Sequence, residues 1–402
     1  MSSTKIQRRD KSLQIYNYDK EIQTVFNQAE REMSSTNFQL MQKYDQEMIR
    51  QSLAKATRKK ALRQIQTLTK MIDKDWNKMT RDDVDTLIYH VMQRYADEKG
   101  QETHMSYDSK KHIKIFLRWV ITGSREKHED GDPKELRGIK SRNVKDRLSR
   151  EDLITPEDLE LLLKACSGDL MEKAMIHLHY EAGTRPGELL NMQIKHVSFD
   201  DFGAKIKVDG KTNARPIRLV ESSPDLSAWI NVHPFADDLE APLWILRTPA
   251  KFGQAQNYFT AKKMLKRIVD KSGLKKRIHF NLFRHSEATR MAKYLTEAEL
   301  KKRQGWTNSS RMPARYVHMV DSDVEDKVLG MYGLKNTSED NEIQKVIPCP
   351  TCSFVNSPES KMCSRCAKPM SVEVALEREE SHKTDMERMM REILRQQQSI
   401  PS

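Results

Sequence analysis

No stretch of the 402 residues approaches the roughly 18 to 20 consecutive apolar residues that a membrane-spanning helix needs. Nor does the N-terminus show a charged start, an apolar core and a small-residue cleavage site, so the expectation is a cytoplasmic protein with no membrane partner. Cysteine is scarce, at five residues, and in a cytosolic chain that argues against a disulfide framework. Fourteen Gly and fourteen Pro are too few for a fibrous or disordered chain. There is no internal repeat, no low-complexity tract and no P-loop, so no nucleotide cofactor is expected. Acidic residues are in deficit: 58 Asp and Glu stand against 70 Lys and Arg, a net charge of +12. That balance points to an anionic partner, nucleic acid by default, with a basic housekeeping protein as the bland alternative.

The periodicity is mainly helical and the length suits two or three domains. Residues 1–18 read as an N-terminal arm. Residues 19–122 read as a helical domain: Phe38, Met41, Tyr44 and Met48 fall at helical spacing, as do Leu62, Ile65 and Leu68. Thr80 and Asp83 form a capping box ahead of Val84, Leu87 and Val91. Residues 123–150, rich in Gly and charge, read as a basic linker that is either solvated or laid along a phosphate backbone.

A second domain, 151–332, opens with an N-cap Thr155, Pro156 at the first helical position and Glu157 and Asp158 in the first turn. Gly183 is a helix stop. Alternating segments at 196–199, 204–208 and 216–220, separated by Asp-Gly and similar turns, predict a three-stranded antiparallel sheet. From Ser223 to Tyr332 the pattern reads as helix again. The fold class is thus mainly α and multidomain: a helical domain, an α+β domain with one small sheet, a linker at 333–346, a small metal module at 347–370 and a C-terminal helix at 371–402. That last helix carries Met386, Met389, Met390, Ile393 and Leu394 at helical spacing, either to pack on itself or to dock on a neighbour.

The metal module is the strongest local signal. Cys349 and Cys352 form one C-x-x-C knuckle, and Cys363 and Cys366 form another ten residues later. Two such knuckles offer four thiolates to one Zn²⁺, with no position open for chemistry. A segment of this size cannot bury enough apolar surface to fold alone, so the metal would supply the folding free energy. DNA and protein are both open as its contact. Cys166 lies in an apolar helical stretch and reads as a buried residue.

Three further stretches carry chemistry. They are Glu181-Ala-Gly-Thr-Arg185-Pro-Gly-Glu188, then Asn281-Leu-Phe-Arg284-His285, then Gly305-Trp306 with Tyr316 ten residues beyond. In this order, with Lys211 in an Asp-Gly-Lys-Thr turn, they resemble the tyrosine recombinase, or phage integrase, family. The resemblance covers roughly residues 25–332, and with the appended cysteines is closest to integrases of archaeal viruses and integrative elements. It implies a site-specific recombinase that cuts and rejoins double-stranded DNA through a 3′-phosphotyrosyl ester on Tyr316. It also implies a core-binding role for the helical domain, a homotetramer on DNA, and chemistry that needs no metal or nucleotide.

The residue types suit that chemistry. A phenol can store the energy of a phosphodiester as an ester, and two guanidiniums can hold the charged oxygens of a pentavalent phosphorus. An ammonium at Lys211 can protonate the departing 5′ oxygen. Two positions depart from the family. Asn281 stands where the family has His, and an amide accepts no proton at neutral pH; His279 and His285 are the candidates to replace it. Trp306 stands where His is commoner, and its N–H still donates to phosphate. A DNA-binding regulator that has lost catalysis and a type IB topoisomerase-like enzyme are the alternative readings.

Overall fold

The structure is a computed structural model and describes residues 15–141, 149–210, 214–317, 328–329, 332, 347–356, 360–363 and 365–398. The chain divides into two compact units, residues 16–147 and the remainder. Among the described residues no helix is long and apolar enough to cross a membrane.

The first unit is built from five helices: α1 (Tyr18–Glu32), α2 (Ser35–Arg50), α3 (Lys55–Thr69), α4 (Arg81–Tyr95) and α5 (His104–Thr122). Their starts are chemical. Ser34 accepts from the Asn37 N–H, and Thr80 and Asp83 close the expected capping box, so backbone donors with no helical partner are satisfied locally. The apolar faces meet on Met41, Tyr44, Leu62, Ile65, Trp76 and Phe116, all essentially solvent-free. Phe116 meets Tyr44 and Trp76 edge-on, each with centroids 5.0 Å apart. In the stretch expected to be a linker, residues 123–141 lie on this unit. Leu136 is buried in its core, and Asp132 accepts from the Arg118 guanidinium. Residues 142–148, in the basic half of that stretch, lie outside the described residues.

The second unit centres on two helices buried on almost every side, α7 (Leu170–Ala182) and α11 (Phe280–Ala292). Around them run α6 (Pro156–Ala165), α8 (Pro186–Leu190), α9 (Ser223–Asn231), α10 (Tyr258–Ser272), α12 (Glu297–Gln304) and α13 (Met312–Val317). Thr155 caps α6 as expected, Asp158 closing a capping box with it, and Gly183 ends α7 in the left-handed region at φ 56°. The sheet is antiparallel in the order β1 (Val197–Asp200), β2 (Gly203–Asp209), β3 (Ala214–Leu219). Its register pairs Ile206 with Ile217 and Val208 with Arg215. On β3 the buried positions are Arg215, Ile217 and Leu219, so strand alternation turns one arginine inward.

One expectation fails here. The pattern after Ser223 was read as helix throughout, yet the chain is not helical from 232 to 248 or from 252 to 257, with only one 3₁₀ turn between. Pro234, Pro242 and Pro249 withhold backbone donors, and the apolar residues serve another purpose. Leu243 donates to the Met192 carbonyl, and Ile194 and Lys195 donate to the carbonyls of Ala241 and Leu239. The segment is an irregular edge laid against the turn that precedes β1, with Trp244 buried beneath it and donating to the Leu189 carbonyl.

Candidate active site and a four-cysteine cluster

The site grows from three helix ends. Arg185 is the N-cap of α8, and its backbone N–H donates to Glu188 Oε2 at 2.9 Å. Arg284 lies on the first turns of α11, buried at 7% exposure. Gly305 stops α12 in the left-handed region at φ 62°. The turn it makes is what both arginines hold. Arg185 Nη2 donates to the Gly305 carbonyl at 3.0 Å, and Arg284 Nη2 donates to the Gln304 carbonyl at 2.6 Å. Arg284 Nη1 also donates to the Gly183 carbonyl at 2.9 Å, which ties the stop of α7 to the same fork.

Glu188 organises the first arginine. Its Oε1 accepts from Arg185 Nη1 at 2.6 Å and from Arg215 Nη1 at 3.0 Å, and its Oε2 accepts from Arg215 Nη2 at 2.9 Å. Burial alone would raise this carboxyl, but the bonds from Arg215 and Arg185 hold it down at about 2. Arg215 completes the arrangement by donating to the Arg303 carbonyl at 2.7 Å. Burial and then the neighbouring Arg185 charge lower Arg284 to about 10. Two cations crowded on one turn raise each other's cost, and an anion placed between them would relieve it.

Arg303 and Gln304 of α12 both donate to Glu287 of α11, the arginine at 2.5 Å. Burial raises the Glu287 carboxyl. His179 of α7, solvent-free, joins Thr184 Oγ1 and the Phe280 carbonyl at 2.9 Å each. Burial lowers its pKa to about 4, so this ring is a neutral brace between α7 and the start of α11.

Tyr316 lies on α13, and its side chain is buried at 1% exposure. Its ring stacks on Trp306, with centroids 5.5 Å apart and planes at 8°. The Arg284 guanidinium sits over the other ring system of this stack, 5.6 Å from the Trp306 centroid. The phenol oxygen lies 2.7 Å from His285 Nδ1.

The structure thus gathers Arg185, Arg284, Trp306 and Tyr316 around the turn at 304–306. Asn281 and His279 lie at the start of α11. Both are exposed, and His279 Nδ1 accepts from the Leu282 N–H as the cap of α11. Lys211 lies outside the described residues, but its neighbour Gly210 is placed. A Cβ at Gly210 would collide with Glu188 Oε1 and lie 3.4 Å from Arg185 Nη1, so the hairpin backbone passes directly over this arginine. Sequence reasoning missed Arg215; the available signal was an arginine on the inward phase of an amphipathic strand.

The cysteines form a separate cluster in the same unit. The Sγ atoms of Cys349, Cys352, Cys363 and Cys366 all lie within 4.8 Å of one another. The separations Cys349–Cys366 and Cys352–Cys363 are each 3.7 Å. A tetrahedron of about 2.3 Å metal–sulfur bonds has edges of about 3.8 Å, so the donor set fits Zn²⁺. The two knuckles repeat each other. Ser353 and Ala367 follow the second cysteine of each at φ 59° and 54°, and donate to the carbonyls of Cys349 and Cys363 at 2.9 Å. Backbone N–H groups of Thr351 and Arg365 point at the Cys349 and Cys363 sulfurs, at 3.4 Å. A two-strand ladder, β4 (Ile347–Pro348) and β5 (Val355–Asn356), closes the first knuckle, and a single bridge between Met362 and Pro369 closes the second. Phe354, solvent-free, packs edge-on against Phe199 of β1 at 6.1 Å.

With this geometry in view, the comparisons with known proteins converge. Residues 152–322 match the model of the Phage integrase family. The chain is 26% identical over 206 residues to a tyrosine recombinase of Thermosipho africanus, covering 48% of this chain and 69% of that one. It is 24% identical over 182 residues to Transposase A from transposon Tn554 of Staphylococcus aureus, covering 42% of this chain and half of that one. Among solved structures, a lambda integrase dimer bound to a COC′ core site superposes with a TM-score of 0.53 at 15% identity, over 69% of this chain and 76% of that one. XerH recombinase bound to a palindromic difH substrate gives 0.51 at 16% identity, over 80% and 91%. The match of residues 152–322 and the order of their motifs make this part of the chain similar to the Phage integrase family and to proteins named as tyrosine recombinases.

Proposed function

We propose that this chain is a site-specific DNA recombinase of the integrase type, with Tyr316 as the nucleophile. The observation that carries the reading is the convergence on one turn: both guanidiniums fasten to the carbonyls of Gln304 and Gly305, and the next residue, Trp306, stacks on the Tyr316 ring. Tyr316 Oη attacks the phosphorus, forming a 3′-phosphotyrosyl ester as the 5′ oxygen leaves. Arg185 and Arg284 neutralise the non-bridging oxygens, each with a fork already fixed by protein acceptors and therefore needing little reorganisation. Trp306 walls the nucleophile and presents its indole N–H. Lys211, the residue that follows Gly210 in the chain, gives the leaving oxygen its proton. Asn281 contributes a hydrogen bond to phosphate rather than a base. In the second step a partner strand's 5′-hydroxyl attacks the ester, so no bond energy is lost.

Double-stranded DNA is the substrate. Four protomers on two sites are the working assembly, in keeping with the tetramer on a Holliday junction that the lambda integrase structure shows. The helical unit serves as a second DNA-binding domain. Cys349, Cys352, Cys363 and Cys366 hold one structural Zn²⁺, which would neutralise four thiolates and tie the knuckles together. A nicked suicide duplex should trap a covalent complex through Tyr316. Adduct formation by Tyr316→Phe would refute the nucleophile assignment.

A further inference from the structure

The reading above leaves the first proton transfer without an acceptor. A phenol ionises near pH 10, so at neutral pH almost none of Tyr316 is phenolate without help. Asn281 has no basic lone pair, and His279 is spent as a helix cap through the same Nδ1 that a base would need. His285 follows Arg284 on α11, half-buried, and its Nδ1 lies 2.7 Å from Tyr316 Oη. That is the length of a hydrogen bond between a phenol donor and an imidazole acceptor, with the ring in its Nε2–H tautomer. The two rings are 5.9 Å apart between centroids, tilted by 31°, so the contact is made edge to tip rather than by stacking.

We propose that His285 is the general base of this enzyme, taking the Tyr316 phenol proton on Nδ1 during cleavage and returning it during rejoining. This rests on the assignment of Tyr316 as nucleophile. The step balances without any co-reactant. The phenol O–H bond breaks as an Nδ1–H bond forms, a P–O bond to Tyr316 forms, and the P–O bond to the 5′ carbon's oxygen breaks. That oxygen takes a proton from the acid on its own side. In the return step the imidazolium gives the proton back to the departing phenolate. Among the described residues, the elements packed on α11 bring these charged and titratable groups toward the pair. Arg315 of α13 lies 5.8 Å from the Tyr316 ring, and Arg284 sits behind Trp306. From α7, His179 is held neutral between Thr184 and Phe280; from α12, Arg303 is bound to Glu287. Both nearby guanidiniums attract negative charge developing on the phenol.

The test is single-turnover cleavage of a nicked suicide duplex at saturating enzyme, followed from pH 6 to 9.5, for the full chain and for His285→Asn and His285→Ala. Asn can accept a hydrogen bond from the phenol but not its proton. Both variants should bind the duplex as the parent does and cleave about 10²- to 10⁴-fold more slowly at pH 7, the usual worth of general-base help. The deficit should shrink roughly tenfold per pH unit as solution hydroxide takes over, and it should persist on a 5′-bridging phosphorothiolate duplex, whose leaving group needs no acid. A rate for His285→Asn within threefold of the parent overturns the proposal. So does a deficit equal at every pH, which would make His285 a structural support, or one erased by the phosphorothiolate. Adduct formation by Tyr316→Phe would instead strike the nucleophile assignment, so the two failures are told apart.

Discussion

Glu188→Gln is the most exacting perturbation of the site, because it changes one atom and no volume. The parent carboxylate is 2% exposed and accepts four hydrogen bonds, three from Arg185 and Arg215 side chains and one from the Arg185 backbone. Gln keeps one acceptor and turns an NH₂ toward a guanidinium, donor against donor. Its carboxyl sits near 2 against an ordinary 4.5, because the arginine bonds outweigh burial. That gap is worth about 3 kcal/mol at roughly 1.4 kcal/mol per unit. Breaking a buried ion pair from one side independently suggests about 3–5 kcal/mol. The sign follows from the lowered folded value: the contribution is complete above the unfolded pKa and fades as pH falls through it toward 2. Urea unfolding of the catalytic unit should therefore show Glu188→Gln less stable by about 3 kcal/mol at pH 7, with the difference smaller by about 2 kcal/mol at pH 3. A loss under about 1 kcal/mol at pH 7, or a difference that ignores pH, would show that the carboxylate is not what holds Arg185 and Arg215.

Two further outcomes are expected. Gly305→Ala should lower stability by at least about 2 kcal/mol, since Ala at φ 62° costs about 1–2 kcal/mol and its methyl would meet Arg215 Nη1 at 2.6 Å and Cζ at 2.9 Å, a guanidinium pinned by Glu188 and unable to swing away; a melting curve matching the parent's would contradict this. The purified protein should carry one zinc per chain by atomic spectroscopy, lost in Cys349→Ser and Cys363→Ser, and chelation should expose Phe354 and raise dye binding while the helical signal holds; a metal-free cluster that stays folded would refute the zinc assignment.

Local chemistry was readable and distant convergence was not. The box at Thr80, the cap at Thr155 and the stop at Gly183 follow from a few neighbouring residues, and the fold places them there. The sheet was legible from its turns, with strand ends shifted by one or two residues. Residues 232–257 were not, because apolar residues spaced for an irregular edge mimic a helix unless the prolines are given more weight. The order of Arg185, Arg284, Trp306 and Tyr316 pointed to one chemistry, yet their meeting point, two backbone carbonyls, leaves no side-chain signature. Arg215 and the partner of the phenol depend on contacts 27 and 31 residues apart in the chain, which pattern alone does not encode.

The docking of Phe354 on Phe199 makes the cysteine module a tenant with a borrowed wall. Cut free, it would show an aromatic face to water and tend to self-associate, so its affinity for any other molecule is best measured on the intact chain.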